Sequence, residues 1–153
     1  MNNWKSLLIG VVPAICIVIS SNAQAATCEV NVEGNDAMAY NTKSISVPKS
    51  CKEITLNLKH AGKLAKGVMG HNIVIAKEAD QAGVLADGST AGMTANWIKS
   101  DDGRVIAHTS LVGGGESTSV KFKTAGLDTK AKYVFFCSVP GHASMMKGVV
   151  KFS

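Results

Sequence analysis

The 153-residue sequence contains no apolar run of the roughly 20 residues that a membrane-spanning helix needs. Its longest apolar run, from Leu7 to Ile19, is shorter and is interrupted by Pro13. No basic cluster lies beside aromatic residues, and no glycine-rich phosphate loop precedes a helix-like segment. Internal repeats, low-complexity tracts and linkers are absent too. We therefore expect one domain with neither stable membrane insertion nor a nucleic-acid partner.

The N-terminus has the pattern of a secretory signal peptide. Lys5 precedes the apolar run, polar residues follow it, and Ala23-Gln24-Ala25 supplies an A-x-A ending. A retained membrane anchor is the alternative interpretation. We expect residues 1–25 to be a cleaved leader and residues 26–153 to form the exported domain, since that length suits one domain but not two.

Export changes how the four cysteines are counted. Cys16 lies in the leader, so the odd number Cys28, Cys51 and Cys137 would remain in an oxidising compartment. Cys28 and Cys51 each adjoin an alternating segment and are close in sequence, so a disulfide between them is the economical assignment. Cys137 is then left free for another purpose.

Alternation of apolar and polar residues dominates the exported part and indicates strands with one buried face. The strand-like segments are residues 28–33, 45–47, 53–59, 71–75, 104–109, 117–123, 132–136 and 148–152. Between Ala76 and Ser100 the residues become small and helix-tolerant, with a short helix expected at 78–82. The pattern predicts an all-β fold, an antiparallel Greek-key β-sandwich of about eight strands with a short helical flap.

The residues suited to metal chemistry are concentrated after the strand that ends at Phe136. The loop there contains Cys137, His142 and Met146, and Pro140-Gly141 allows these side chains to converge. A thiolate, an imidazole and a thioether suit copper better than calcium or magnesium, which prefer oxygen ligands. A trigonal copper site of this kind needs a second histidine.

Four histidines are available, namely His60, His71, His108 and His142. His71 is the strongest candidate for the second ligand because it follows Gly70, which permits close backbone approach, and precedes the apolar strand from Ile73 to Ile75. A ligand at the end of a strand would belong to the rigid scaffold.

Two other functions use the same residue types. Cys137 and His142 could be a thiol nucleophile and its base, but nothing in the sequence supplies an oxyanion hole or a group to orient the base. Storage of zinc or copper would account for the ligands, although storage has no use for a weak axial thioether. Absorbance distinguishes the three functions, since zinc protein and thiol enzyme are colourless.

Several separated motifs closely resemble the azurin family of type 1 blue copper proteins, which are cupredoxins. The motifs are Met69-Gly70-His71-Asn72, Asp101-Asp102 with Arg104 to Thr109, Phe135-Phe136-Cys137, Pro140-Gly141-His142 and Met146-Lys147-Gly148. They agree with the family in order and spacing, and the resemblance covers essentially all of the exported chain. Cys28 and Cys51 match the disulfide pair of the family.

The resemblance implies a one-electron carrier of the periplasm that is not an enzyme and binds one copper ion, cycling between Cu(II) and Cu(I). It implies the metal ligands His71, Cys137, His142, Met146 and Gly70, the last through its carbonyl opposite Met146. The N–H groups of Asn72 and Val139 are expected to point at the Cys137 sulfur. The Asn72 side chain is expected to connect the two ligand loops.

The edge of His142 is the expected exit for the electron. An apolar patch is predicted around it, formed by Leu64, Val68, Met69, Val139, Pro140 and Met145, with the small residues Ala65, Ala143 and Ser144 allowing close approach. Such a patch suits brief redox encounters. By resemblance, the partners are redox proteins such as c-type cytochromes or copper or haem reductases. His60 matches a buried histidine of azurins that is not a ligand.

Overall fold

The computed structural model describes residues 27–153 and places nine strands there in two β-sheets. The strands are β1 (Glu29–Asn35), β2 (Ala39–Tyr40), β3 (Ser44–Val47), β4 (Glu53–His60), β5 (Val74–Lys77), β6 (Val105–His108), β7 (Ser117–Lys123), β8 (Tyr133–Phe136) and β9 (Lys147–Phe152). The α-helices are α1 (Lys66–Met69) and α2 (Gln81–Ala91). The predicted leader lies outside the described residues. Within them, no helix has both the length and the apolar character required to span a membrane.

The alternation seen in the sequence determines which side chains form the core between the sheets. In β4 the side chains of Ile54, Leu56 and Leu58 are fully buried, whereas their neighbours in sequence are less so. This is the expected result for a strand with one face on a core, because successive side chains point to opposite faces. The predicted all-β sandwich with a helical flap is confirmed, and the two-residue β2 is an additional strand.

Strand pairing differs from the expected antiparallel arrangement at two places. One sheet has the order β2-β1-β4-β7 and the other β3-β9-β8-β5-β6. The pairs β1 with β4 and β3 with β9 are parallel, and the others are antiparallel. The chain crosses to the second sheet at β3 and returns at β4, so β4 runs in the same direction as β1. Alternation within single strands carries no information on this crossover.

The flap forms a third layer and is more helical than the sequence predicts. Val84 of α2 and Ile98 pack on Val74 and Phe136, which explains why all four side chains of β8 are buried. The expected helix at 78–82 is a 3₁₀ turn at Glu78–Asp80 followed by the longer α2. Glycine at 88 disfavours a helix, but a Cβ there would clash with the backbone carbonyl of Trp97.

The predicted disulfide between Cys28 and Cys51 is present, and Cys137 is the free cysteine among the described residues. The disulfide ties the start of β1 to the start of β4, the neighbouring parallel strand. It therefore lies at the opposite end of these strands from Gly34 and His60, which are paired near the candidate site.

Candidate metal centre

His71 lies just before β5 and is held by backbone bonds to the neighbouring chain. Its N–H donates to the carbonyl of Val112 over 2.9 Å, and the Val112 N–H donates back over 2.8 Å. On the ring, Nε2 lies 2.8 Å from the carbonyl oxygen of Asn35. That contact places the proton on Nε2 and leaves Nδ1 as a bare lone pair. His71 Nδ1 is fully buried and has no hydrogen-bond partner.

Cys137 follows the last residue of β8 and its side chain is fully buried. Its Sγ atom lies 3.6 Å from Nδ1 of His142. Burial raises the pKa of the Cys137 thiol to about 11, and the backbone N–H groups of Asn72 and Val139 oppose this by favouring the thiolate. These two groups thus act on the sulfur as the resemblance implies.

The loop after Cys137 folds back so that His142 and Met146 come next to it. Gly141 has a φ of 84°, in the left-handed region that glycine adopts without strain, and the 3₁₀ turn His142–Ser144 follows. The N–H of Met146 donates to the carbonyl of His142 over 2.8 Å, and the N–H of Cys137 donates to the carbonyl of Met146 over 3.0 Å. The loop is therefore closed on itself by its own backbone.

The donor atoms of His71, Cys137 and His142 all lie within 4.8 Å of one another, and all three residues are buried. Among the histidine, cysteine and acidic side chains of the described residues, these three lie close enough together to hold a metal ion. Burial lowers the pKa of both His71 and His142, so both imidazoles are neutral and available as ligands. An unpartnered buried nitrogen beside a free thiol and a second imidazole fits copper by donor chemistry.

The structure places the two remaining predicted ligands beside this cluster. Met146 is fully buried, and a Cβ added at Gly34 would lie 3.6 Å from its Cε and 2.9 Å from Cδ2 of His71. The absence of a side chain at Gly34 therefore makes room for both. At Gly70 a Cβ would clash with the carbonyl of Lys66, so packing against α1 accounts for this glycine. Coordination by Met146 and Gly70 remains a prediction.

Asn72 connects the two segments that carry the ligands, as the resemblance implies. Its Oδ1 accepts from the N–H of Ser138 over 2.9 Å, and its Nδ2 donates to Oγ of Ser138 over 2.8 Å. Nδ2 also donates to the carbonyl of Asn96 over 2.7 Å. Asn72 and Ser138 are both buried. His71 directly precedes Asn72 in the chain, and Cys137 directly precedes Ser138. The hydrogen bonds between Asn72 and Ser138 therefore connect the neighbours of both donor residues.

The other two histidines lie outside the ligand cluster. His60 is fully buried, as its match to the family implied, and its ring stacks on that of His71 with centroids 4.6 Å apart. Its Nε2 lies 2.8 Å from the carbonyl of Met69, and its Nδ1 accepts from the N–H of Gly62. His108 is half-buried at the end of β6.

The predicted patch contains exposed apolar side chains. Leu64, Val68 and Met145 are 41%, 68% and 54% exposed. Pro140 is also exposed, whereas Met69, Val139 and Ala143 are half-buried. The most accessible part of the patch is therefore the side of Leu64, Val68 and Met145. His142 itself is 7% exposed.

Three supporting contacts were not found from the sequence. The carbonyls of Asn35 and Asn96 orient His71 and Asn72, and a backbone carbonyl carries no residue-type signal. Lys43 Nζ donates to the carbonyl of Met145 over 2.6 Å, across more than a hundred positions of sequence. No residue-type pattern in the sequence marks these contacts.

Comparison with known proteins gives a consistent result. A family model described as "Copper binding proteins, plastocyanin/azurin family" matches residues 26–153. The chain is 54% identical to an azurin of Alcaligenes faecalis over 124 residues, covering 81% of this chain and 97% of the relative. It is 48% identical to an azurin of Pseudomonas aeruginosa over 133 residues, covering 87% and 90%. A solved azurin structure, Az-iso2 from Methylomonas sp. strain J, superposes with a TM-score of 0.80 at 50% identity, covering 84% and 99%.

The protonation states at the site predict that metal binding by the metal-free protein releases about one proton per ion at neutral pH. The thiol of Cys137, with a pKa of about 11, must lose its proton to become a ligand, whereas His71 and His142 have lowered pKa values and are already neutral. Affinity should therefore rise about tenfold per pH unit above neutrality. Calorimetric titration with Zn²⁺ in buffers of different ionisation enthalpy measures the number of protons.

The matched control is Cys137→Ser, which should release no proton on binding Zn²⁺. Release of two protons, or of none by the parent protein, would contradict this assignment of protonation states.

Proposed function

This chain belongs to the plastocyanin/azurin family of copper-binding proteins, and on that premise we propose that it carries single electrons between redox proteins of the periplasm. It is a blue copper electron carrier, like its azurin relatives, and not an enzyme. The proposal includes a cleaved leader at residues 1–25, which would export a domain of residues 26–153. The A-x-A ending of the leader supports this division.

The observation that carries the proposal is the buried set of donors at His71, Cys137 and His142, with Nδ1 of His71 left unpartnered. A copper ion bound there would supply one-electron redox chemistry, alternating between Cu(II) and Cu(I). Met146, through its thioether, and Gly70, through its carbonyl, would complete the ligand set as weaker donors. The burial of Met146 and its position facing Gly34 together with His71 support this assignment.

The residues around the donors suit electron transfer because they resist rearrangement. Before any metal arrives, the His71 imidazole is held by its contact with Asn35, and the segments of His71 and Cys137 are joined by the bonds of Asn72 to Ser138. A site that cannot relax toward the ligand geometry preferred by either oxidation state needs little rearrangement when an electron is exchanged. N–H groups directed at the thiolate then adjust the potential.

His142 connects this site to the surface. It is the most exposed of the three donor residues of the cluster, at 7%, and we propose that the edge of its ring faces the apolar patch formed by Leu64, Val68 and Met145. A partner with an apolar surface could approach the edge of His142 without desolvating charges. Such contacts are small and short-lived, which suits a carrier that must leave quickly. We propose c-type cytochromes and copper or haem reductases as the partner classes.

Cys137→Ser tests the function directly. The serine hydroxyl cannot replace thiolate donation, so the copper-loaded variant should lose the intense visible charge-transfer band of blue copper. The circular dichroism spectrum should remain that of a folded β-sandwich, because the substitution only replaces one buried sulfur atom by oxygen. Retention of the intense band in this variant would remove Cys137 from the site and the proposed function with it.

Met146→Gln tests the axial position. The copper-loaded variant should stay coloured but have a lower reduction potential, because an oxygen donor favours Cu(II) over Cu(I). The expected shift is at least about 59 mV, the equivalent of a tenfold change for one electron. Voltammetry provides the measurement, and a potential equal to or above that of the parent would argue against Met146 as a ligand.

Val68→Lys tests the exit surface. A lysine at this position, which is 68% exposed, should slow electron self-exchange on the order of tenfold, because its charge must be desolvated or held away at contact. Absorption should not change. NMR line broadening in mixtures of oxidised and reduced protein measures the rate.

The matched control is Val149→Lys, since Val149 is also an exposed valine, at 44%, but lies on β9 in a depression shared with Glu78 and Lys132. Comparison at several salt concentrations separates the added net charge from a local effect. Equal slowing in both variants would place the exit elsewhere.

A further inference from the structure

Tyr40 is a buried polar residue that the ligand set does not use. It ends the two-residue strand β2, where it pairs with Gly34 of β1, and is only 5% exposed. Its ring packs in the core on Phe135, with centroids 5.6 Å apart. An aromatic core position of this kind needs only a ring, so the hydroxyl requires a separate explanation.

The hydroxyl of Tyr40 has two polar neighbours, both in the metal centre. It donates a hydrogen bond to the backbone carbonyl of Asn72. It also interacts with the side chain of Cys137, where it favours the thiolate. Burial holds the pKa of Tyr40 well above its ordinary value, followed in size by the effect of Cys137, so the hydroxyl stays protonated and remains a donor.

A hydrogen bond to the backbone of Asn72 is well placed to influence the sulfur of Cys137. Its N–H favours the Cys137 thiolate, and its side chain holds Ser138 on the opposite loop. The next N–H, of Ile73, donates to Oγ1 of Thr109 over 2.9 Å. The bond from Tyr40 also fixes the carbonyl of Asn72. Each backbone polar group from the Asn72 N–H to the Ile73 N–H therefore has a partner at or near the site.

We propose that Tyr40 is a positioning residue of the copper site, whose hydroxyl holds the Asn72 backbone against the Cys137 sulfur and raises the reduction potential. The inference rests on the proposed function, since it concerns the potential of the metal held there. A donor on the Asn72 carbonyl offsets the negative end of a dipole near the thiolate and keeps the Asn72 N–H directed at sulfur. Both effects make the thiolate a poorer electron donor, which favours Cu(I).

Tyr40→Phe removes the hydroxyl and keeps the ring, so the fold should persist. The equilibrium constant for reduction against a reference couple should fall several-fold, up to tenfold, which is a decrease of up to about 59 mV. The protein should remain blue. In the metal-free protein, hydrogen exchange of the Asn72 and Ile73 amides should become faster, which is a second measurement independent of copper.

The chain offers a matched control, because its other tyrosine is Tyr133. Tyr133 is also buried in the core, but it lies at the far end of β8 from Cys137 and packs edge-on against Phe152. Tyr133→Phe should change neither the potential nor the exchange of the Asn72 amide. Equal shifts in the two variants would overturn the proposal, because they would reflect only the loss of a core hydroxyl.

A perturbation of opposite sign completes the test. Incorporation of 3-fluorotyrosine into Tyr133→Phe labels Tyr40 alone and makes its hydroxyl a stronger donor, so the potential should rise. A potential that is unchanged or higher in Tyr40→Phe, or that does not rise with the fluorinated residue, overturns the role of Tyr40. Since these proteins would still be blue and redox-active, that failure is distinguishable from loss of the blue band in the parent protein, which would overturn the proposed function.

Discussion

The buried hydrogen bonds of the Asn72 side chain are the interaction on which the metal centre depends. They join the segment that carries His71 to the loop that carries Cys137, although the two are far apart in the sequence. A buried amide or hydroxyl that lacks a partner costs about 1–3 kcal/mol, so loss of either Asn72 or Ser138 would leave a buried polar group of the other unsatisfied at about that cost. Because each is the immediate neighbour of a donor, satisfying the pair also fixes the distance between the imidazole and the thiol.

The three-layer arrangement makes this hydrogen-bonded pair possible. The flap packs Val84 and Ile98 on the outer face of the second sheet and thereby brings Asn96 to the site. There the carbonyl of Asn96 accepts from Asn72, and its side chain accepts from the N–H of Leu111. The Cys137 side chain is fully buried, so water is excluded from its sulfur. The same exclusion raises the pKa of Cys137, so the dry surroundings that hold the donors rigid also oppose ionisation of the thiol until a cation is present.

Local patterns in the sequence predicted most of the fold and much of the site. Alternation or an apolar run located eight of the strands, most of which bury one face, and the odd cysteine identified Cys137 because its partner candidates were already paired. Long-range contacts were not predictable in this way. The parallel pairing of β1 with β4 depends on where the chain crosses between sheets, and the orientation of His71 depends on the carbonyl of Asn35, which any residue could supply.

The buried and the exposed residues of the candidate site are distinct, and under the proposed function they serve different purposes. His71, Cys137 and the predicted ligand Met146 are fully buried, so a partner protein cannot contact them directly. His142 follows a left-handed glycine and is 7% exposed, and its backbone is tied to Val139 and Met146. With the exit at His142, as proposed, a partner would meet apolar side chains that can be desolvated at little cost. On that proposal, the buried donors lie behind the surface that a partner contacts.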